Sequence, residues 1–473
     1  MSLTPQQKAV VDFHTNHCET FSECADLHKI FDKQLLTFIK QTLAQQFKGP
    51  TLEAVCQRIA PINVLTKIIE KLSPIYNKPP IRAVVGNEQD KELLDFYETN
   101  LKPNEYFMKA AINYTLCRTA LVQPYLRDKL PRMRTHLSAG EYGPDSGFFV
   151  MSDDEYDPMI VTKVVIFFAA KKPGGAKCDT VYFVYTKDTF ESFWSDGDSY
   201  LSAERKEEDA NKNGLGILPY SYATDSLLKV FPHPGTDLKK MTILVPVLIS
   251  DLNYSVMFQC FSIMYGINLS SENLTMAPNA FWNVKTDSGQ EKVELGTLKG
   301  EVDYGGIWDT ITKEFVMWLD TLGIRVGSVG NVDSGNAANG ISKIIDDMDT
   351  QELREKLAGV FKKLEEDFWN NRIIPIHNKW VDGSLIDTKL KFSPEAKIEV
   401  TFHQQMALTK RIDVIAEQKA ELDAKLTTQK RALARLNPEM SDSDLDELLE
   451  EINPPVVKEV PPAKVSEDLS NAS

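Results

Sequence analysis

An almost wholly apolar stretch, from Pro246 to Tyr265, restricts the possible folds of this chain more than any other segment. Pro246 suits the first turn of a helix and Gly266 suits the position just past its end, so the stretch predicts one helix about 30 Å long. Its apolar side chains point in every direction, and most of its faces must therefore be covered by other protein. We expect neighbouring copies of the same chain, arranged about an axis, to provide that cover.

The stretch is nonetheless too polar to span a membrane. It includes Ser250, Asp251 and Asn253, and an aspartate near the middle of a bilayer costs roughly 2.5–3.5 kcal/mol. The N-terminal residues Met1–Lys8 are polar and lack the apolar core of a secretory signal. Because the six cysteines are scattered and no such signal precedes them, we expect reduced thiols in a cytosolic compartment. The polar residues of the apolar stretch lead us to expect no membrane partner.

The charge of the chain is unevenly distributed. The 473 residues are enough for two or three domains and carry a net charge of −15. Residues 437–473 alone hold ten acids against two lysines. The remainder is only mildly acidic, which argues against tight binding of phosphates, because such binding uses clustered Lys and Arg. It leaves open transient contact with DNA that slides past the protein.

Apolar periodicity predicts an α+β fold that is mainly helical. Residues 1–135 read as short helices, including one over Val64–Leu72 and a helical block over 90–127. Runs of β-branched and aromatic residues over 161–168 and 181–185 predict an antiparallel hairpin. The charged segment 202–216 is expected to be an exposed loop.

A further succession of elements follows the apolar stretch. Short apolar pieces around Asp287–Gly289 predict strands joined by a tight turn. An apolar face from Trp308 to Leu322 predicts an amphipathic helix that Gly323 ends. Because the loop over 327–340 is rich in Gly, Asn and Ser, it is expected to be flexible.

The C-terminal part is again mainly helical. A capping box at Asp349 and Glu352 predicts a long helix over 350–374, ended by Pro375. Lys397–Phe402 alternates like a strand. The remaining predictions are a helix over 406–436, a short acidic helix over 441–452 and an aperiodic, disordered tail beyond it.

The sequence offers no positive case for an enzyme. It has no Gly-x-Ser-x-Gly elbow, and its seven histidines have no recognisable Ser, Cys or Asp companions. Gly330 and Gly335 have the spacing of a P-loop, but Asn336 stands where a P-loop has lysine, and the loop follows a helix rather than a strand. We therefore expect no catalytic residue, no nucleotide and no other cofactor.

Two groups of residues are capable of binding a metal, although an ordinary structural role is favoured for each. The first fits no zinc pattern and reads as part of an amphipathic helix: His14, His17, Cys18, Cys24 and His28. The second is an acidic run that reads as a solvated loop rather than a cation site: Asp153, Asp154, Glu155 and Asp157. We expect no metal centre.

Six segments between residues 55 and 450 follow one another in an informative order: Asn63–Arg82, Asn113–Tyr125, Val247–Tyr254, Gly335–Ile341, Val400–Phe402 and Met440–Glu447. Taken in that order, they resemble segments of the portal (head–tail connector) proteins of tailed bacteriophages. Val247–Tyr254 is similar to the first stem helix of that family, where a Leu/Ile-Asp-x-Asn pattern recurs. The other segments, in order, are similar to two N-terminal wing segments, to the motif beside the tunnel loop, and to the wing strand with its crown.

The resemblance implies a portal-protein fold, assembled as a ring, with wing, stem, clip and crown regions. The implied boundaries are wing 1–240, stem helix 241–266, clip 267–305, second stem helix 306–326, tunnel loop 327–349, wing 350–403, crown 404–452 and disordered acidic tail 453–473.

It also implies a function without a bond-making step. A ring, usually of twelve subunits, would sit at one capsid vertex of the virion, after assembly in the host cytoplasm. It would conduct double-stranded DNA during packaging and ejection, and would bind the terminase large subunit and later the tail adaptor or connector proteins. Major capsid and scaffolding proteins are further implied partners, and ATP hydrolysis would belong to the motor.

The resemblance assigns residues to four places. In the tunnel loop, facing the DNA, lie Asn331, Asp333, Ser334, Asn336, Asn339, Ser342 and Lys343. Basic residues near the channel, each otherwise an ordinary surface charge, are Lys239, Lys240, Lys299 and Arg325. The clip interface holds Phe281, Trp282, Val284, Val293 and Leu295, and the packed stem holds Leu248, Leu252, Phe258, Trp308, Phe315 and Trp318.

Two other functions remain open from the sequence. The chain could be another oligomeric virion protein, such as a tail adaptor or baseplate component, which would lack a channel wide enough for a duplex. It could also be a soluble enzyme with an unrecognised site, which a compact monomer or dimer with a deep polar pocket would favour.

Overall fold

The computed structural model describes residues 3–57, 59, 62–140, 143–154, 156–173, 178–200, 212–260, 263–267, 281–284, 294–298, 303–322, 324–326, 348–349, 351–402, 411–425, 427–436 and 448–449. The chain forms two compact units, Met1–His403 and Gln404–Ser473. The described residues form both helices and strands, so the fold is of the mixed α and β class that the apolar periodicity predicts.

The N-terminal part is helical, as predicted. Its helices are α1 (Pro5–Asn16), α2 (Cys18–Lys29), α3 (Leu35–Gln46), α4 (Gly49–Cys56) and α5 (Val64–Leu72). Thr4 and Gln7 cap the first of these reciprocally. Between α2 and α3 the chain kinks at Asp32 and Lys33, where Lys33 has a φ of 65°.

The predicted helical block over 90–127 is only partly correct. Helix α6 (Glu88–Leu101) and helix α7 (Pro103–Cys117) are present, but Arg118 adopts a left-handed conformation with a φ of 62° and ends α7. The chain continues as a strand from Thr119. The segment Asn113–Tyr125, expected to lie on one helix, therefore spans a helix end and a strand, because its second half is rich in residues that suit a buried sheet.

Two antiparallel sheets follow. The strands, preceded by β1 (Ile81–Val85), are β2 (Thr119–Arg127), β3 (Leu130–His136), β4 (Ala139–Gly140), β5 (Gly143–Met151), β6 (Lys163–Lys171), β7 (Cys178–Tyr185), β8 (Phe190–Trp194) and β9 (Ser221–Thr224). One sheet has the order β3-β2-β9 and the other β4-β5-β6-β7-β8. The predicted hairpin is confirmed, since Val164 pairs with Tyr185 across β6 and β7. Most of the segment 202–216, predicted as a loop, lies outside the described residues.

The five-stranded sheet is covered by the first two helices. Phe21 of α2 packs among Phe149 and Phe167 of the sheet, with ring centroids 6.0 and 4.9 Å away. His14 of α1 donates or accepts a hydrogen bond at 2.7 Å between its Nδ1 and the hydroxyl of Tyr182. These contacts form one of the buried cores of the larger unit.

The apolar stretch and the elements after it form a helix, a sheet and a second helix. They are α8 (Asp237–Cys260), β10 (Ile263–Ile267), β11 (Phe281–Val284), β12 (Glu294–Leu298), α9 (Tyr304–Thr321), β13 (Arg325–Val326) and β14 (Met348–Asp349).

The long helix predicted over 350–374 differs at both ends. Helix α10 spans Gln351–Asp367, and Asp349, predicted to cap it, pairs in β14 instead. At the other end the chain passes through a π-helical segment, Phe368–Ile373, into α11 (Ile374–Asp382). Pro375 therefore does not end the helical run, because it lies in the first turn of α11, where no helical N–H is needed.

The predicted strand near residue 400 is confirmed as β15 (Lys397–Thr401). It pairs antiparallel with β1, so that Arg82 lies opposite Val400. Helix α10 and the π-helical segment pack against this ribbon and against α6 and α7 through a second core, whose largest members include Tyr97, Phe107, Phe361, Phe368 and Trp369.

The smaller unit contains α12 (Arg411–Asp423) and α13 (Gln429–Leu436). One continuous helix over 406–436 was predicted, but Lys425 has a φ of 56°, and the chain turns there. An ion pair of 2.6 Å between Arg435 and Glu421 joins the two helices. The predicted acidic helix over 441–452, apart from 448–449, and the tail 453–473 lie outside the described residues.

Candidate functional site

The helix formed by the apolar stretch begins and ends earlier than predicted. Helix α8 starts at Asp237, so Pro246 lies inside it rather than in its first turn. An interior proline costs about 3 kcal/mol, and burial of the flanking Val245 and Val247 offsets this cost. At the other end α8 stops at Cys260, and Tyr265 belongs to β10. The sheet excursion therefore begins at Ile263 rather than at residue 267.

The chain itself covers much of α8, contrary to the expectation that neighbouring copies would do so. Val245, Ile249 and Leu252 are buried in a core shared with α5 and α9. Val247 is buried in a different core, which includes Leu35 and other residues of α3 and α5. Neighbouring subunits would therefore need to cover only the part of α8 that these contacts leave exposed.

Helix α9 presents its predicted apolar face to α8. Its buried side chains recur at helical spacing and share the core with α8: Trp308, Ile311, Phe315, Trp318 and Leu319. Of the residues assigned to the stem, Leu252, Trp308, Phe315 and Trp318 are buried together, and Leu248 is half-buried against them. The side chain of Phe258 lies outside the described residues.

The helix pair carries apolar side chains on its outer surface as well. Leu244 and Val256 of α8 and Ile307 of α9 are all exposed, and Met317 of α9 is 70% exposed. These four residues were not singled out from the sequence. The apolar periodicity of α9 predicts only its buried face, and α8 was expected to be apolar on every side. Ile307 and Met317, which lie outside the predicted apolar face of α9, could have indicated an exposed apolar surface.

Charged groups on the exposed surface of the pair are mainly acidic. The exposed acids are Asp237, Asp251, Asp309, Glu314 and Asp320, and the exposed lysines are Lys240 and Lys313. Phosphates would be held weakly by such a surface, since affinity for nucleic acid depends on clustered positive charge.

The basic residues predicted near a channel differ in their environments. The ammonium of Lys239 is committed within its own chain, 2.9 Å from Glu23 and 2.6 Å from Asp26. Burial lowers the pKa of Lys239, but hydrogen bonds to the two carboxylates outweigh it, so the pKa is raised. The charge of Lys239 is thus largely balanced within its own chain, and its position near a channel stays a prediction. Lys240 is exposed in the first turn of α8; Lys299 and the side chain of Arg325 lie outside the described residues.

A three-stranded sheet separates the two helices in sequence. Its order is β11-β10-β12, in which β10 runs parallel to β11 and antiparallel to β12. The residues assigned to the clip interface lie partly on it: Phe281, Trp282 and Val284 are in β11 and Leu295 is in β12. Val293 lies outside the described residues, and the side chains of the other four are not described.

The segment assigned to the tunnel loop is bounded by a short antiparallel pair. Arg325 of β13 lies opposite Asp349 of β14, and Val326 lies opposite Met348. The chain thus leaves α9 and returns to α10 at neighbouring positions. The residues assigned to the loop all lie outside the described residues: Asn331, Asp333, Ser334, Asn336, Asn339, Ser342 and Lys343.

The one cysteine–histidine contact of the described residues does not form a nucleophile and its base. The Sγ of Cys117 lies 3.7 Å from Nε2 of His28, but that same nitrogen lies 3.0 Å from Oδ1 of Asn113. A triad needs the third group on the other ring nitrogen. Burial also raises the pKa of Cys117 well above its usual value, so the thiol stays protonated.

The two groups considered as metal ligands do not converge. His14 contacts Tyr182, His17 contacts the carbonyl of Phe13, and His28 contacts Asn113. Throughout the described ranges, no three His, Cys, Asp or Glu side chains are arranged to hold a metal. In the acidic run, Asp154 instead accepts backbone hydrogen bonds from Tyr156 and Asp157, as in an ordinary turn.

Comparison with known proteins assigns the chain to no family. No protein-family model matches it, and no curated protein matches it significantly. Among the described residues, no helix combines the length and apolar character needed to cross a bilayer.

Proposed function

We propose that the chain is the portal subunit of a tailed bacteriophage, a ring-forming conduit for double-stranded DNA at one capsid vertex. The observation that supports this proposal best is the helix–sheet–helix excursion. Helices α8 and α9 pack on each other through Ile249, Leu252 and Phe315, and the sheet β11-β10-β12 lies between them in sequence. A stem of two helices interrupted by a clip has this order.

The short pair β13–β14 supports the next part of the proposal. It closes the base of the segment 327–347 directly after α9, as expected for a loop that projects from the stem. The long helix α10 follows at once. The succession of stem, clip, stem, loop and wing helix is thus compatible with the described elements.

The surface of the helix pair is suited to a ring whose channel does not grip DNA. Leu244, Val256, Ile307 and Met317 offer apolar area to neighbouring subunits, at about 25 cal/mol per Å² of apolar area buried. The predominance of exposed acids on the same helices would keep contact with phosphates weak. DNA could then move in either direction without a binding step.

The partners follow from this role. The clip would bind the terminase large subunit during packaging and the tail adaptor afterwards, and the wing and crown would face capsid and scaffolding proteins. The chain would supply no chemistry itself, because the motor hydrolyses ATP.

Mass photometry combined with negative-stain imaging tests the proposal. Twelve copies of the 53.3 kDa chain would weigh about 640 kDa, and the particles would show an axial hole wide enough for a duplex. A ring with a narrower hole would favour a tail adaptor or baseplate component. A monomer or dimer at all concentrations, with no hole, would contradict the proposal.

A further inference from the structure

A cavity of about 260 Å³ lies in the larger unit, where α9 and α10 meet the N-terminal helices. Its walls come from α5, α7, the start of α8, the chain just after α9, and α10. A single copy of the chain therefore forms the whole cavity, which holds none of the residues assigned to the tunnel loop or the clip.

Most of the cavity wall is aliphatic. Ile68, Ile69 and Leu357 are buried members of this wall. The members that are only partly buried, although they pack against the cores on either side, are Leu72, Leu238, Leu322, Leu353 and Val360. A ligand with an apolar body would cover the surface that these side chains leave open, and such burial favours binding.

Two polar groups of the cavity have no partner among the described residues. One is the hydroxyl of Tyr114, a residue only 8% exposed, and the other is the ammonium of Lys356. A buried tyrosine hydroxyl usually has a hydrogen-bond partner. Burial and the charge of Asp225 raise the pKa of Tyr114, so the phenol keeps its proton. Both groups can therefore donate a hydrogen bond to a ligand.

The one acidic side chain that lines the cavity is already paired. Both oxygens of Asp225 accept hydrogen bonds from Nε of Arg118, at 2.8 and 2.9 Å. Nη1 of Arg118 donates to the carbonyl of His233 at 3.2 Å, and its Nη2 has no partner in the described part of the chain. The lining thus holds two cations, Arg118 and Lys356, against one carboxylate. Its uncommitted groups are donors, which suit an anionic acceptor.

The volume of the cavity limits the size of this ligand. A protein cavity of about 150 Å³ binds one benzene molecule, which has six carbon atoms. At the same ratio, 260 Å³ accommodates roughly ten non-hydrogen atoms. A carboxylate on a saturated chain of about eight carbons has this size.

We propose that the cavity binds the anion of a medium-chain carboxylic acid. The carboxylate would accept hydrogen bonds from Tyr114, Lys356 and Nη2 of Arg118, and the hydrocarbon chain would lie against the aliphatic wall. The bound acid would brace α10 against α5 and the end of α9. The proposal does not rest on the proposed ring, because one copy of the chain supplies every group involved.

Isothermal titration calorimetry with three probes tests the chemistry of the ligand. Octanoate should bind roughly fifteenfold more tightly than hexanoate, since two additional CH₂ groups are buried. Octylamine has a chain of the same length with a positive charge, and it should bind at least tenfold more weakly than octanoate. All titrations stay below the concentration at which the probes form micelles. No binding of octanoate, or equal binding of octanoate and octylamine, would overturn the proposal.

Tyr114→Phe tests the unpartnered hydroxyl. It should weaken octanoate binding by roughly fivefold, because one hydrogen bond is lost. Thermal unfolding without octanoate should be unchanged, because the hydroxyl bonds to no described residue of the protein. A variant that is less stable but binds octanoate as tightly as the wild type would contradict the proposal and show that the hydroxyl has a structural role.

Lys356→Gln tests the unpaired charge. It should weaken octanoate binding by roughly tenfold, because hydrogen bonds to charged groups are the stronger ones. Lys363→Gln makes the same change at an exposed lysine of α10 outside the cavity lining, and it should bind octanoate as the wild type does. Equal losses in the two variants would mean that octanoate responds only to the net charge of the chain, which would overturn the site.

Val360→Phe tests the location of the hydrocarbon chain. Its larger side chain would occupy part of the cavity, so octanoate binding should be lost. Octanoate should raise the midpoint of thermal unfolding of the wild type but not of this variant, since a ligand that binds only the folded state stabilises it. Undiminished binding by Val360→Phe would place octanoate elsewhere and overturn the proposal. If this variant does not fold, the comparison of Tyr114→Phe with the wild type decides.

Discussion

Arg82 and Glu365 form a buried ion pair between the strand β1 and the helix α10. The Nε of Arg82 lies 2.7 Å from a carboxylate oxygen of Glu365, and their side chains are 2% and 0% exposed. The other oxygen of Glu365 accepts a hydrogen bond of 2.7 Å from the hydroxyl of Tyr76. The two halves of the proposed wing, one before and one after the stem, are thus joined by fully desolvated charges.

Glu365→Gln should destabilise the larger unit by roughly 3–5 kcal/mol. It removes one of the two carboxylates that pair with the buried guanidinium of Arg82 and leaves Glu98 and Asn104 as partners, and the loss of one partner from a buried ion pair has a cost of that order. Urea unfolding followed by circular dichroism measures the loss. Glu366→Gln, at the next residue, should change the free energy of unfolding by less than about 0.5 kcal/mol. Equal stability of the two variants would show that the ion pair between Arg82 and Glu365 does not stabilise the larger unit.

Arg118→Gly should be less destabilising than Arg118→Ala, by about 1 kcal/mol. Both substitutions remove the ion pair with Asp225. Arg118 has a φ of 62°, a conformation that strains any residue with a Cβ but not glycine. Thermal unfolding of the two variants gives the difference, and their shared loss of the ion pair makes each the control of the other. A more stable alanine variant would contradict the strained helix end.

Periodic burial is the part of the fold that could be read from the sequence. Trp308, Phe315 and Trp318 lie on one face of α9 because a buried face repeats every three to four residues, whatever covers it. The antiparallel pairing of β6 and β7 could also be predicted from the sequence, because β-branched and aromatic runs flank a turn.

The remaining features depend on contacts that no local pattern records. Pro246 resembles a helix start, but Val245 and Val247 on either side of it are buried against other helices, and α8 is continuous through the proline. The same pattern of apolar residues cannot distinguish cover by α3, α5 and α9 from cover by another subunit. The pairing of Arg82 with Glu365 joins positions 283 residues apart. No local sequence pattern around either residue predicts its partner.

The larger unit should lose stability as the pH falls below about 6.5. Burial lowers the pKa of His14 from 6.5 to about 4, with Asp145 partly opposing it, and burial followed by the charge of Arg134 lowers the pKa of His136 to about 3. Between these values and 6.5 the unfolded chain binds protons that the folded chain does not, so unfolding is favoured as pH falls. Each group contributes a slope of at most about 1.4 kcal/mol per pH unit.

Urea unfolding at a series of pH values between 7 and 4 measures this slope. His14→Gln and His136→Gln should each flatten it, because each removes one group that titrates in the unfolded chain alone. Slopes identical to that of the wild type in both variants would show that these histidines do not cause the pH dependence.

Met317→Gln should weaken assembly without weakening the fold. The side chain of Met317 is 70% exposed, and Met and Gln have similar helix propensities, so unfolding should change by less than about 0.5 kcal/mol. If a neighbouring subunit covers Met317, the lost apolar burial of about 1–2 kcal/mol should raise the concentration for half-assembly by roughly tenfold. Mass photometry over a dilution series measures this concentration. Glu314→Gln introduces the same residue at an exposed position on the same helix and serves as the matched control. Unchanged assembly in both variants would mean that the outer surface of α9 at Met317 faces solvent or the channel rather than a neighbour, and the subunit contacts would then have to lie elsewhere.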